Sequence, residues 1–384
     1  MIPFTRMIKY GRNIVTNDIK KMVASTNSIA LLYNNGNLYM RGENSLSLWG
    51  TTDANNKLDW TLVLTDVQDV WIGAYHTIAL MNDGTYYCCG YARSLGVAGS
   101  NRLWEPYALL NNLISSTGDT VKKIECGVQG SQILMSNGDL YFTGFNNASC
   151  MAPSSFGTTV TSFIKSLTGV KDVSYNMNAT MVITNDNLLR VVGTSDNQKL
   201  ATPSNGTVLS VWTTKSLPTG YTYPVSLYEA YRSTYIYCAS DSSVTDTALV
   251  GAGYNGYNQL GQPGTFNTPL ATYTAGATNI KITSFGTGWW PTAYSTMCTD
   301  GLQLYSAGQL GAAMGSATNK TTGFTAIPFE AGASASTVDE FCMAGSATTT
   351  GVTMMRSGNT VFACGVAAWL GTDHFNLVPV SLPE

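Results

Sequence analysis

The chain has 384 residues, of which 44% are hydrophobic and only 11% charged, where an ordinary globular domain carries about 25% charge. With a net charge of −3 and no cluster of Lys and Arg, the composition argues against tight non-specific nucleic-acid binding, which needs a basic surface to displace counterions. No apolar run approaches the roughly 20 residues of a membrane-spanning helix, so membrane insertion is not expected. Met1-Ile2-Pro3-Phe4-Thr5-Arg6-Met7-Ile8-Lys9-Tyr10 lacks a long apolar core and a small-residue cleavage site, so the chain is expected to be made and folded in a cytoplasm.

Residues 1–17 match no strand pattern and are expected to be an arm or an extra strand. From residue 18 onward the chain repeats. Turn-forming tips recur at Asn34-Asn35-Gly36, Asn82-Asp83-Gly84, Ser136-Asn137-Gly138, Asn185-Asp186-Asn187, Thr299-Asp300-Gly301 and Arg356-Ser357-Gly358. Gly36 to Gly84 is 48 residues, Gly84 to Gly138 is 54, and Gly138 to Asn187 is 49. Asn187 to Gly301 is 114, twice the 57 from Gly301 to Gly358, and a longer tip at residues 241–247 fills that gap. The count is seven units.

Each unit has the same parts. A short apolar strand comes first, as in Ile19-Lys20-Lys21-Met22-Val23, Val67-Gln68-Asp69-Val70-Trp71-Ile72 and Val121-Lys122-Lys123-Ile124. The hairpin follows, its descending arm ending at Gly42, Gly90, Gly144, Gly193, Gly253, Gly308 or Gly365. A small hydrophobic-Gly pair comes next: Trp49-Gly50, Leu95-Gly96, Leu260-Gly261, Leu310-Gly311 and Leu370-Gly371, with Cys150-Met151 and Leu200-Ala201 as degenerate copies. A further strand, marked by Pro, often precedes the first apolar strand of the next unit: Glu105-Pro106-Tyr107-Ala108-Leu109, Thr268-Pro269-Leu270-Ala271-Thr272, Ile327-Pro328-Phe329 and Val378-Pro379-Val380-Ser381-Leu382. Residues 201–223 read as a surface loop or a poorly formed strand, and little of the chain shows helical periodicity. Four short strands per unit, seven times over, predict an all-β, seven-bladed β-propeller of four-stranded antiparallel blades spanning residues 18–384. Because the chain starts on one strand type and ends on another, residues 378–382 are expected to join the N-terminal blade and close the ring.

The stretch Ile72-Gly73-Ala74-Tyr75-His76-Thr77-Ile78-Ala79-Leu80-Met81-Asn82-Asp83-Gly84-Thr85-Tyr86-Tyr87-Cys88-Cys89-Gly90 closely resembles the repeat of the regulator of chromosome condensation family. Tyr254-Asn255-Gly256-Tyr257-Asn258-Gln259-Leu260-Gly261 resembles that repeat's Gln-Leu-Gly segment. The resemblance covers nearly the whole chain and also implies a seven-bladed propeller. Family members include nucleotide-exchange factors for a small nuclear GTPase and inhibitors of secreted enzymes. This chain lacks their basic tracts, and a propeller hosts many roles.

Residues able to do chemistry are sparse. His76 fills the His-Thr slot of the repeat, and a hydrogen-bonding role inside a blade is expected. His374 is expected on a loop. No Gly-x-Ser-x-Gly elbow supports nucleophilic catalysis, and no Walker-type loop supports phosphate binding. Asp53, Asp59, Asp66 and Asp69 lack calcium-loop spacing and read as solvated. Most of the eight Cys lie in strand-like runs and read as buried free thiols, with a disulfide or zinc site as the alternative. Cys88 and Cys89, adjacent in a strand, should point to opposite faces. Trp49, Trp104, Trp212 and Trp369 read as packing between blades. No catalytic residue, metal ligand or cofactor is nominated. The binding candidates are the aromatics Trp289, Trp290, Tyr254 and Tyr257, which could stack on a sugar or anchor a protein.

The expected role is a non-enzymatic binding or structural propeller. The uncharged, Asn-, Thr-, Ser-, Gly- and Tyr-rich composition resembles that of bacteriophage tail and fibre proteins. The expected partners are therefore other virion proteins, a host receptor or a glycan, and the expected location is the virion. The alternatives are a cytoplasmic scaffold or GTPase exchange factor and, more remotely, a glycan-cleaving propeller, for which no carboxylate pair stands out.

Overall fold

Ser28-Ile29-Ala30-Leu31-Leu32-Tyr33 is buried along its whole length, with no alternation between apolar and polar positions. A strand of this kind needs an apolar layer on both faces of its sheet. The computed structural model supplies both layers, as seven four-stranded antiparallel blades packed face to face. It describes residues 18–383 apart from 27, 54–56, 147–149, 151–156, 176–177, 230–231, 262–267, 274–283, 288–294, 310, 319 and 346–350, with the backbone alone at 57–58, 229, 268–273, 284–287 and 320–322. The expected arm at residues 1–17 lies outside the described residues.

Blade one holds β1 (Ile19–Ala24), β2 (Ser28–Tyr33), β3 (Leu38–Gly42) and β4 (Lys57–Leu64). Blade two holds β5 (Val67–Ile72), β6 (His76–Met81), β7 (Tyr86–Gly90) and β8 (Arg102–Pro106). Helix α1 (Ala108–Thr117) leads into blade three, with β9 (Val121–Cys126), β10 (Gly130–Met135), β11 (Leu140–Phe145) and β12 (Thr159–Leu167). Blade four holds β13 (Val170–Tyr175), β14 (Ala179–Thr184), β15 (Leu189–Ser195) and β16 (Thr207–Lys215). Blade five holds β17 (Tyr223–Glu229), β18 (Ser233–Ala239), β19 (Thr247–Gly253) and β20 (Thr268–Tyr273). Blade six holds β21 (Ser284–Thr287), β22 (Ser295–Thr299), β23 (Leu304–Gly308) and β24 (Lys320–Ala326). Blade seven holds β25 (Glu340–Ala344), β26 (Val352–Ser357), β27 (Thr360–Gly365), the four-residue helix α2 (Ala367–Leu370) and β28 (His374–Pro379). Every blade is a simple meander. The first strands of successive blades pack beside one another, and β1 packs beside β25, which closes the ring.

The core is therefore divided into layers between blades. Ile29 and Leu31 of β2 face blade seven, where they meet Val352, Met354 and Val361. Ala30 and Leu32 on the same strand face blade two, where they meet Val67, Val70 and Ala79. Cys88 packs toward blade three, while the Cys89 thiol donates to the Leu48 carbonyl of blade one at 3.2 Å, so the two neighbours do point to opposite faces. At roughly 1.5–3 kcal/mol for each large apolar side chain buried, these layers outweigh the surface ion pairs, which contribute about 0–1 kcal/mol each.

Polar staples cross the same layers. Thr77, Thr180, Thr234 and Thr353 occupy one slot of the second strand. Their hydroxyls donate to the carbonyls of Leu48, Cys150, Lys199 and Ala313 in the preceding blade, at 2.8, 2.5, 2.5 and 2.6 Å. Near the channel, Lys21 reaches Asp69 at 2.7 Å and Lys123 reaches Asp172 at 2.9 Å, each linking one first strand to the next.

Four expectations change. The Pro-marked segments belong to the end of a blade rather than the start of the next, as β8 and β28 show. In this frame β28 pairs with β27 of its own blade, and among the described residues no strand is exchanged with blade one. The expected clasp at residues 378–382 is instead a side-chain closure: Met22 N–H donates to Glu340 at 2.7 Å, Ile19 N–H to Asn359 at 3.2 Å, and the Trp60 indole to the Ser381 carbonyl at 3.2 Å. Residues 201–223 contain a nine-residue strand, β16, with a bulge in its pairing to β15. The small hydrophobic-Gly pair of blade six is Met314-Gly315, where Gly315 has φ +63°, rather than Leu310-Gly311.

Candidate functional site

The loop after β19 brings Tyr254 and Tyr257 together, with ring centroids 6.2 Å apart. Tyr254 is buried, its N–H donates to the Arg232 carbonyl at 2.9 Å, and the Arg232 guanidinium lies 5.6 Å from its ring. Tyr257 is half-buried. Trp289 and Trp290 lie outside the described residues. The other aromatics read as packing do pack: Trp49 is buried and donates to Ser28 at 3.0 Å, and Trp212 donates to the Ser166 hydroxyl of the neighbouring blade at 3.2 Å.

His76 is fully buried and shares a 2.8 Å hydrogen bond with the Ser131 hydroxyl of blade three, so it fastens two blades. Burial pushes its imidazole down to about 3, which keeps it neutral. His374 opens β28, and its Nε2 lies 2.9 Å from the Thr372 hydroxyl. All eight Cys are free thiols. Burial pushes the Cys88 and Cys238 thiols up to about 12, away from thiolate chemistry.

A site that the sequence reading did not nominate lies at the seam between blades one and seven. A groove of about 700 Å³ opens between β4 and the segment that follows β28. Arg41, on the end of β3, forms part of its wall and is only 6% exposed. One of its terminal nitrogens donates to the Trp369 carbonyl, its guanidinium lies 5.2 Å from the Trp60 ring, and its Nε has no hydrogen-bond partner. Burial pulls the Arg41 guanidinium below its ordinary pKa, and Asp59 acts in the opposite sense. Asp59, Glu330 and His374 supply the other ionisable groups of the wall, and Val378, Val380 and Leu382 part of its apolar side.

Arg41 stands immediately before the repeat's Gly42. In the other six blades that slot holds Cys89, Thr143, Val192, Ala252, Ala307 and Cys364, all small, neutral and buried. The second-strand Thr that staples other blades is Ile29 here, and Arg41 takes over the bond to the preceding blade's carbonyl. A signal existed in the sequence: with the seven repeat glycines aligned, Arg41 is the one charged residue in the slot before them.

The chain resembles several solved structures. Prp20p from Saccharomyces cerevisiae, described with its binding properties to Gsp1p and histones, superposes with a TM-score of 0.70 at 14% identity, over 94% of this chain and 83% of that one. The same yeast protein, named there as RCC1 (Prp20) and bound to Kap60, gives 0.70 at 14% identity, over 86% and 78%. Human WBSCR16 gives 0.63 at 13% identity, over 85% and 84%. The fold is an RCC1-like propeller. No family model matches the sequence. At these identities the likeness carries the RCC1-like architecture, and the Arg41 groove has to be judged on its own chemistry.

Proposed function

We propose that this chain is a non-enzymatic binding propeller that works within an assembled particle, as a bacteriophage tail or fibre protein contacting other virion proteins or the host surface. The observation that supports this reading is the outer edge of blade four. Strand β16 is nine residues long, its sole charged residue is Lys215, and Val208 and Val211 are 49% and 64% exposed. Apart from a bulge opposite Val191–Gly193, that edge has little of the charge or Pro by which soluble monomers guard theirs, whereas an assembly covers such an edge with a neighbour. The charge-poor composition points the same way. The test is mass spectrometry of density-purified particles from the producing culture. Recovery of the chain at a fixed ratio to known particle proteins, surviving a high-salt wash, is the expected result. Recovery solely from the soluble cell fraction overturns the reading.

A second reading is a cytoplasmic RCC1-like scaffold or exchange factor for a small GTPase, favoured by the superposition on Prp20p. It requires the purified chain to speed nucleotide release from a small GTPase severalfold, and an unchanged release rate removes the exchange-factor form.

A further inference from the structure

We infer that the groove at the seam of blades one and seven binds a carboxylated sugar, a pyranose bearing an acid group within an oligosaccharide, with Arg41 as the anchor for the carboxylate. The inference does not depend on whether the chain belongs to a particle.

The first argument concerns donors. Closing an interface between two blades takes one donor, and a Thr hydroxyl supplies it in four other blades. A guanidinium has five N–H donors. Arg41 commits a terminal nitrogen to the Trp369 carbonyl, leaves Nε without a partner and makes no ion pair within 4.0 Å among the described residues. Placing a cation in a slot that is neutral in the other six blades costs desolvation, which the weakened basicity of the group reflects. A carboxylate meeting the planar fork would offset that cost through charge-assisted bonds.

The second argument concerns what surrounds the cation. Trp60 offers an aromatic surface beside Arg41, and the wall also carries the carboxylates of Asp59 and Glu330. Those two groups accept hydrogen bonds and repel further negative charge. The matching ligand therefore presents one carboxylate, several hydroxyl donors and an apolar ring face, which describes an acidic pyranose. An acidic peptide would bring additional carboxylates past Asp59 and Glu330. The groove's volume also accommodates more than one sugar ring.

The test is titration of the whole chain with oligosaccharides containing hexuronic acid, with others containing sialic acid, with the same sugars after reduction of the carboxyl to the alcohol, and with an acidic peptide. Saturable binding of at least one acidic sugar, weakened tenfold or more by carboxyl reduction, is expected, and the two acidic arms tell which sugar class fits. Arg41→Ala risks unfolding the seam. The decisive variant is therefore the double change Ile29→Thr with Arg41→Cys, which installs the staple chemistry of the other blades. It should keep the wild-type melting temperature within a few degrees and lose binding, and Trp60→Leu should weaken binding at least fivefold. Binding that survives the double variant, equal affinity for the reduced sugars, preference for the peptide, or no binding to any acidic sugar each overturns the inference.

Discussion

Burial holds the His76 imidazole neutral, with a pKa of about 3 in the fold against 6.5 when free, so folding resists its protonation. The unfolded chain takes up that proton once the pH falls below the free value. The contribution to stability is thus complete above neutrality and lost as the pH drops toward the folded value. Between pH 7 and about 4.5 the loss should reach about 2.5 kcal/mol, visible as a falling urea midpoint, and His76→Gln should flatten the slope. Backbone conformation makes a second prediction at this scale. A Cβ on Gly90, where φ is +102°, would lie 2.4 Å from the Tyr75 carbonyl oxygen. Gly90→Ala should cost about 2–4 kcal/mol, through strain and the displaced carbonyl. Ala201 holds the left-handed slot, at φ +53°, that Gly50 and Gly96 hold in their blades. Ala201→Gly should therefore stabilise by about 0.5–1 kcal/mol, since it removes left-handed strain at a small entropic cost. Denaturant titrations of the two variants should move in opposite directions.

Among the elements, the outer strand of blade four exposes Val208 and Val211 on an edge with a single charged residue. Val208→Lys with Val211→Lys should leave the fold intact and reduce concentration-dependent self-association of the isolated chain, as measured by light scattering; unchanged scattering would show the edge of β16 to be inert. The elements also show which parts of a sequence carry local information. The hairpin tips were legible because Asn-Gly and Asp-Gly demand particular backbone angles, whatever surrounds them. Strand β16 was not, because Thr207-Val208-Leu209-Ser210-Val211-Trp212 sits between Ser-, Thr- and Pro-rich segments that read as loop. Helix α1 was legible in principle. Leu109, Leu110, Leu113 and Ile114 recur at helical spacing and pack on the layer between blades two and three, but the Pro just before them suggested a strand. The blade frame was ambiguous because a periodic sequence does not mark where a unit begins; only strand pairing does.

For the molecule as a whole, the seam governs closure of the ring. Among the described residues blade seven and blade one share no strand, and Glu340 carries part of the junction, accepting from Met22 N–H and, at 3.3 Å, from Arg356. Burial pushes the Glu340 carboxyl up, while the Met22 N–H and Arg356 favour its charged form. Glu340→Ala should cost about 1–3 kcal/mol by stranding the Met22 N–H, whereas Asp69→Ala, at an ordinary blade junction, should cost about 1 kcal/mol or less. Equal melting temperatures for the two variants would show that the seam is no more sensitive than other junctions. The sequence made the ring legible but not this junction, because Arg41 and Trp369 are 328 residues apart and each looks ordinary in its own unit.

The slot before the repeat glycine adds a point about valency. Seven alike copies would offer a ligand seven alike sites, and the molecule would saturate gradually, without a defined orientation. A long cation in one copy out of seven marks a single position on the circumference. A ligand held there binds once per ring and always beside the same two blades, which gives a nearly symmetric wheel a fixed front.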